Sequence, residues 1–188
     1  MEASLRNTHL RLMLAILLLA PLSSFSVSSI RHEFKVAKRA KFALTIPSSM
    51  AIQSQEKQGE ILTLNIGPTE GNVYEILISA LKSGSRGEPT LSDKEIQYLV
   101  RLRGTQLLDT SVETELKMMQ LTGVHGVGYL YTLTDKREEL PSGEYRYLCQ
   151  GIFMLGNVQL SATLLTDSPD EEVVVPFFEI LRTAESVK

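Results

Sequence analysis

The chain has 188 residues, with 19 basic and 22 acidic side chains and a formal net charge of −3 at pH 7. This length suits one domain with a proper core, and the mild acidity argues against nucleic acid as a partner, because nucleic-acid-binding proteins show concentrated positive charge. The only cysteine, Cys149, excludes an internal disulfide, and its strand-like surroundings favour a buried, inert thiol over a reactive one.

The first element of the chain is an apolar run at residues 12–22, with Arg6 and Arg11 before it and serines up to Ser26 after it. A basic start, a short apolar run and small residues at the end are typical of a secretory signal peptide. The alternative is a membrane anchor that is not cut. A membrane-spanning helix needs about 20 apolar residues, and this run reaches only about half that length, which favours cleavage. We predict that residues 1–26 are a signal peptide cleaved near Ser26, and that the protein is secreted or periplasmic.

Residues 27–41 form a basic lead-in segment, interpreted as a solvated approach to the domain. The alternative is a weak contact with an anionic lipid or cell-wall surface, because clustered basic residues attract such surfaces. The basic side chains of the segment are Arg31, Lys35, Lys38, Arg39 and Lys41. The folded domain is predicted to span residues 42–188.

Seven strand-like runs and two helices follow in chain order. Three strands come first, within residues 42–50, 60–66 and 73–81, and the polar stretch 53–59 is predicted to be a loop. A helix then begins after Ser92, where Ser92 and Glu95 can form a capping box, and it ends near Leu108. Four runs joined by short turns predict an antiparallel meander; they lie within residues 113–121, 123–135, 145–155 and 157–167.

The chain ends in a second helix, for which we predict Ser168 as the cap, Pro169 at the first helical position and Glu171 as the capping-box partner. Pro176 inside this helix should kink it or delay its start. The predicted buried stripe consists of Val174, Phe177, Phe178, Leu181 and Ala184.

Several strands carry apolar residues on both faces, whereas a sheet with one solvated face would alternate between apolar and polar residues. Both faces of the sheet should therefore be partly covered. We predict an α+β fold: a three-layer α/β/α sandwich with a mainly antiparallel sheet of about seven strands and a helix on each face.

The order of these elements resembles the PsbP-like superfamily, which includes PsbP, the Ran-binding Mog protein of yeast and exported bacterial proteins of the DcrB and LpqN type. The resemblance covers about residues 42–186. It is carried by FALTIPSSM at 42–50, by GVHGVGYLYT at 123–132 and by FFEILRTAES at 177–186. It implies no common catalytic residues, and it implies a role in binding or assembly.

The sequence shows no catalytic or metal-binding constellation, and we predict no cofactor. His32 and His125 are far apart and lack ligand companions at metal-binding spacing. Ser54 and Lys57 match the S-x-x-K pattern of penicillin-binding proteins, but the other motifs of that class are absent.

Glycines at residues 123, 126 and 128 suggest a phosphate-binding loop, but such a loop is followed by a helix. Here a tyrosine-rich strand follows, so we interpret them as a bulge or a closely approached backbone. The acids at residues 170–172 are explained by the helix dipole, which favours acidic residues in the first turn.

Four tyrosines alternate along neighbouring strand-like runs and are candidates for one partner-binding patch, because tyrosine combines apolar area with a polar tip. The alternative is that they pack under a helix. They are Tyr129, Tyr131, Tyr145 and Tyr147.

The function predicted from these observations is that of an exported, non-enzymatic protein of the cell envelope that binds a protein partner or assists complex assembly. Two alternatives stay open: a binder of a small apolar or lipid ligand, and an envelope hydrolase whose site is assembled from distant segments.

Overall fold

The computed structural model describes residues 28–38, 40–70, 74–84 and 91–187. The predicted signal peptide, residues 1–26, lies outside these ranges. Within them, no helix combines the length and the apolar character needed to cross a membrane.

The larger of two sheets has seven antiparallel strands. They are β3 (Met50–Gln58), β4 (Ile61–Pro68), β5 (Tyr74–Lys82), β6 (Met118–Thr122), β7 (Val127–Thr134), β8 (Tyr147–Leu155) and β9 (Val158–Thr166). Their spatial order is β3-β4-β5-β9-β8-β7-β6. Two meanders, β3–β5 and β6–β9, therefore meet at the β5–β9 pair. This sheet confirms the predicted mixed α+β class and the four-strand meander.

The smaller sheet was not predicted. Its strands are β1 (Ser29–Ala37), β2 (Ala40–Pro47) and β10 (Glu185–Val187), in the order β1-β2-β10. Strand β1 lies within the segment predicted to be a lead-in. Its basic residues alternate with apolar ones, as in a strand with one buried face. Phe34 and Val36 are buried, while Arg31 and Lys35 face solvent.

The first helix, α1 (Asp93–Leu107), begins as predicted, and a short 3₁₀ turn at Leu108–Thr110 follows it. The capping box is present. The Glu95 carboxylate accepts a hydrogen bond from the Ser92 backbone N–H at 2.7 Å, and Ser92 Oγ accepts one from the Glu95 N–H at 3.4 Å. Two backbone donors that the helix leaves free are thereby satisfied.

The second helix, α2 (Glu171–Arg182), begins later than predicted, and the capping box at Ser168 is wrong. The Ser168 N–H donates to Thr166 Oγ1 at 3.2 Å, so Ser168 belongs to the turn that follows β9. Asp170 is the N-cap residue and makes no side-chain capping bond. Pro176 lies inside the helix.

Buried apolar side chains form two clusters. The larger one joins α2 and the smaller sheet to one set of alternate side chains of the large sheet. It contains all five residues of the predicted stripe, but Ala184 lies beyond the end of α2 and so is not part of a helix. In the smaller cluster, Ile96 and Val100 of α1 pack against Tyr129, Tyr131 and Leu133 of β7. Helix α1 contacts β7 and β8, while α2 contacts β2 and β9. Each fully buried large apolar side chain contributes about 1.5–3 kcal/mol to folding.

Gly104 allows α1 to approach the sheet closely. A Cβ atom at this position would lie 2.6 Å from Cδ1 of Leu116 and 3.1 Å from Cδ1 of Tyr131. A larger side chain would therefore push the helix away from β7. The close packing at Gly104 therefore helps to fix α1 over one part of the large sheet.

Candidate binding surface

One face of the large sheet is only partly covered by the described residues. Helix α1 lies over β7 and β8, whereas on β4, β5 and β9 buried core residues alternate with half-buried or exposed ones. We call the outward set of side chains on β3, β4, β5 and β9 the open face. Its members are Ser54, Glu56, Gln58, Ile61, Thr63, Asn65, Glu75, Leu77, Ser79, Leu81, Ser161, Thr163 and Leu165.

The open face carries apolar side chains where solvent-facing strands usually carry polar ones. Ile61 is 45% exposed, and Leu77 and Leu165 are half-buried. The adjoining helix adds Tyr98, which is 64% exposed, and Leu102, which is 44% exposed. These last two are four residues apart and so share one side of α1. Together these side chains form the apolar part of this side of the molecule.

The hydroxyl groups of Thr63, Ser79 and Ser161 on the open face are paired with neighbouring polar groups. Thr63 Oγ1 lies 3.1 Å from Ser79 Oγ. Arg103 of α1 donates to Ser161 Oγ at 3.0 Å. Within the described ranges, no open-face hydroxyl contacts a histidine or a carboxylate that could activate it as a nucleophile.

The outward side chains of the open-face strands include acids and no base, since Lys57 of β3 and Lys82 of β5 point to the other side of the sheet. One cation, the guanidinium of Arg103, reaches the open face from α1 at Ser161. Glu56 lies on β3 and Glu75 on β5, and Asp167 follows β9. Burial raises the pKa of the Tyr145 phenol, and the neighbouring Glu75 carboxylate raises it further. The charged side chains that these strands direct outward are therefore acidic.

The structure separates the four candidate tyrosines. Tyr129 and Tyr131 are buried, and their hydroxyl groups donate to Asp93 at 3.1 Å and to Gln150 at 2.5 Å. Burial raises the pKa of Tyr131 to about 12. These two tyrosines therefore lie together beneath α1.

Tyr145 is half-buried beside Glu75, and Tyr147 faces the opposite side of the sheet from Tyr131. The strand register explains the separation, because Tyr131 pairs with Gln150. Tyr147 is three positions from Gln150, and residues an odd number apart point to opposite faces.

A small cavity lies between the sheet and α2. Its lining includes Tyr147, Cys149, Val174 and Phe178, and its volume is about 30 Å³. Pockets for small ligands enclose about 300–1,000 Å³, so this cavity does not accommodate one. Burial raises the pKa of the Cys149 thiol to about 12, which keeps the sulfur protonated and unreactive.

Ser54 and Lys57 do not form a catalytic pair. They lie in β3, where residues three apart point to opposite faces. The Lys57 Nζ atom donates instead to the backbone carbonyl of Lys35 at 3.5 Å. In this part of the chain the S-x-x-K pattern belongs to an edge strand and not to a nucleophilic site.

The histidines lie in structural contacts. The ring of His32 stacks on Phe34 with a centroid distance of 6.4 Å, and His125 Nε2 lies 3.9 Å from a carboxylate oxygen of Glu185. Across the described ranges, no three histidine, cysteine or carboxylate side chains are grouped so that they could hold a metal ion.

The glycines near His125 are sites of close backbone approach, as the sequence indicated. A Cβ atom on Gly126 would lie 2.2 Å from the carbonyl oxygen of Met154, and one on Gly128 would lie 2.5 Å from that of Ile152. Strand β7, and not a helix, follows them. Their role is to let β7 pack against β8.

The basic lead-in residues are only partly available to a surface. Arg31 is paired with Glu33 and Glu185, and both hydrogen bonds raise the pKa of its guanidinium. Lys35 and Lys38 are exposed. Lys41 is partly buried, and Arg39 lies outside the described residues.

The loop between β7 and β8 is held by two arginines. Arg137 bridges Asp135, at 2.7 Å, and Glu144. Arg146 donates to the backbone carbonyls of Arg137 and Glu138. The hydrogen bonds from Arg137 lower the pKa of Asp135 to about 2. The loop therefore adopts a defined shape next to Tyr145.

Replacing Arg137 by alanine should raise the pKa of Asp135 from about 2 toward the ordinary value of about 4. The lowered pKa means that ionised Asp135 contributes stability above about pH 4, and that this contribution is lost as the pH falls through about 2. NMR titration of the Asp135 carboxyl measures the shift. Lys136→Ala is the control and should leave the titration unchanged. An Asp135 that still titrates near 2 in Arg137→Ala would assign the shift to another group.

Comparisons with protein-family models, with curated proteins and with solved structures find no match to this chain. A function can therefore be argued only from the residues and their geometry.

Proposed function

We propose that this chain is an exported, non-enzymatic protein of the cell envelope that binds a protein partner, or assists complex assembly, through the open face. The observation that supports the proposal most is the apolar area beside α1 at Ile61, which is exposed, and at Leu77 and Leu165, which the described residues cover only partly. Protein interfaces combine such an apolar centre with a polar rim. The hydroxyl and carboxylate groups of the open face supply that rim.

We extend the proposal to the layers of the fold. The large sheet would be the middle layer, with α1 on one side and α2 with the smaller sheet on the other. Two separate apolar clusters support this arrangement, since each contains a different helix. It is also the arrangement that a resemblance to the PsbP-like superfamily implies, and that resemblance favours binding and assembly over catalysis.

Export is the second part of the proposal, and it is supported by the basic, apolar and small-residue order of residues 1–26. The protein recovered after expression of the full chain in a secreting host should begin at Val27, directly after Ser26. N-terminal sequencing of the cell-free and envelope fractions measures this. Recovery of an uncleaved chain that begins at Met1 in the cytoplasmic fraction would refute export. It would not bear on the binding role of the open face.

The binding role is tested by photo-cross-linking in the cells that produce the protein. A photoreactive amino acid is placed at Ile61 on the open face, and at Val124 as the control. Val124 is 75% exposed and lies in the turn between β6 and β7. We expect a discrete protein adduct from position 61 and none from position 124. Equal adducts at both positions, or none at position 61, would overturn the proposal.

A further inference from the structure

We infer that the partner of the open face is a second copy of this chain, with helix α1 of each copy lying on the open face of the other. The inference rests on the proposed function, because it names the partner of the same surface. It commits to a twofold-symmetric contact, in which the same two features of the molecule meet twice.

On this side of the molecule α1 stands above part of the large sheet and leaves the neighbouring strands lower. Helix α1 forms a ridge over β7 and β8, and the strands β9, β5, β4 and β3 beside it form the floor. Four strands about 4.8 Å apart make a floor about 15–19 Å wide, and a helix with its side chains is about 10–12 Å in diameter. The floor therefore has room for one helix. A ridge beside a floor of matching width is self-complementary under a twofold axis.

The apolar residues of ridge and floor match. The solvent-facing side of α1 carries Tyr98 and Leu102. A helix that packs with only one side does not need apolar residues on its solvent side. The floor offers Ile61, Leu77 and Leu165. Seating α1 of one copy on the floor of the other removes both sets from water.

The charges of ridge and floor are opposite except at Arg103, an α1 residue whose guanidinium lies on the floor of its own chain at Ser161. Lys94 and Arg101 are exposed on α1, seven residues apart and so on the same side of the helix. Neither has an ion pair among the described residues. The floor carries the acids Glu56 and Glu75, of which Glu75 also interacts with the Tyr145 hydroxyl of its own chain. A second copy therefore brings two cations to a surface with two carboxylates, and it does so twice.

The acidic side chains of α1 do not offset the attraction between its basic side chains and the acids of the floor. The carboxylate of Glu95 is bound within the capping box, and that of Asp93 accepts the hydroxyl hydrogen of Tyr129. Both acids therefore have partners in their own chain, at the beginning of the helix.

The inference is tested by exchanging charges between ridge and floor. One variant carries Lys94→Glu and Arg101→Glu, and a second carries Glu56→Lys and Glu75→Lys. Each is purified after expression of the full chain, and its mass in solution is measured by sedimentation over a range of concentrations. We expect the wild-type protein to dimerise and each variant alone to dimerise at least tenfold more weakly.

Mixing the two variants should restore the dimer, because the acidic ridge of one then meets the basic floor of the other. A control variant carries Lys35→Glu and Lys41→Glu on the smaller sheet and should dimerise like the wild type. A monomeric wild type, or variants that do not complement each other in the mixture, would refute the inference. A cross-link from position 61 to a different protein would also refute it, but would leave the proposed function intact.

Discussion

Replacing Tyr131 by alanine is expected to lower the free energy of unfolding by about 3–5 kcal/mol, the usual cost of removing a buried aromatic side chain. Tyr131 of β7 is fully buried beneath α1. Its loss also leaves Gln150 without the phenol hydroxyl that donates to it. The same change at Tyr98, on the exposed side of α1, should alter this free energy by less than about 0.5 kcal/mol when it is measured at a concentration at which the chain is monomeric. Urea unfolding followed by circular dichroism measures both.

Tyr131→Phe separates the ring from its hydroxyl group. It keeps the packing and loses one hydrogen bond, so it should cost only about 0.5–1.5 kcal/mol. If Tyr131→Ala were as mild as Tyr98→Ala, the ring would have to lie outside the core. Such a result would favour the reading in which Tyr131 belongs to an exposed partner-binding patch.

Replacing Phe177 by alanine is expected to cost about 3–5 kcal/mol as well. Phe177 is fully buried, its ring centroid lies 5.5 Å from that of Phe178, and α2 joins the smaller sheet to the large one. The cavity left behind should weaken the attachment of β2 and β10. Amide hydrogen exchange should therefore speed up in β2 and β10, while the midpoint of urea unfolding falls.

Val175→Ala is the matched control in the same helix, since Val175 is only partly buried. It should change the free energy of unfolding by about 1 kcal/mol or less. Similar losses for Val175→Ala and Phe177→Ala would contradict the packing of α2 described above.

Local signals predicted the elements that depend on local interactions. The start of α1 follows from Ser92 and Glu95, which satisfy each other's backbone groups within one turn. The same reasoning failed at Ser168, where Thr166 supplies a competing hydroxyl acceptor. A capping signature therefore predicts a helix start only when no neighbouring turn takes up the same backbone donor.

Three strands were missed: the short β10, which follows the last helix, and β1 and β3, whose side chains are mostly exposed. Strand β3 is polar from Gln53 to Gln58, and its pairing with β4 is made by backbone hydrogen bonds that carry no side-chain pattern. Strand β1 has the period-two alternation of Phe34 and Val36, but its basic residues suggested a solvated segment. An edge strand needs little burial and so leaves a weak signal in the sequence.

The candidate surface depends on tertiary structure. The apolar residues on both sides of strands such as the one at 145–155 predicted that both faces of the sheet are partly covered, but they did not predict which part stays open. Whether a face is covered depends on where α1 packs, which Gly104 and the tyrosines of β7 decide. The register across β7 and β8 likewise separates Tyr131 from Tyr147, and no residue of either strand signals that separation alone.

The open face is tested most directly by quantitative affinity capture with two isoleucine variants of similar exposure. Ile61 lies on the open face and is 45% exposed, while Ile30 lies on β1 and is 54% exposed. Each is changed to aspartate, the melting temperature is checked, and proteins captured from envelope extracts are compared with those captured by the wild type. We expect Ile61→Asp to reduce the captured partner at least tenfold, which corresponds to about 1.4 kcal/mol of binding free energy. Ile30→Asp should retain it. Equal capture by the two folded variants would contradict the assignment of the open face as the binding surface.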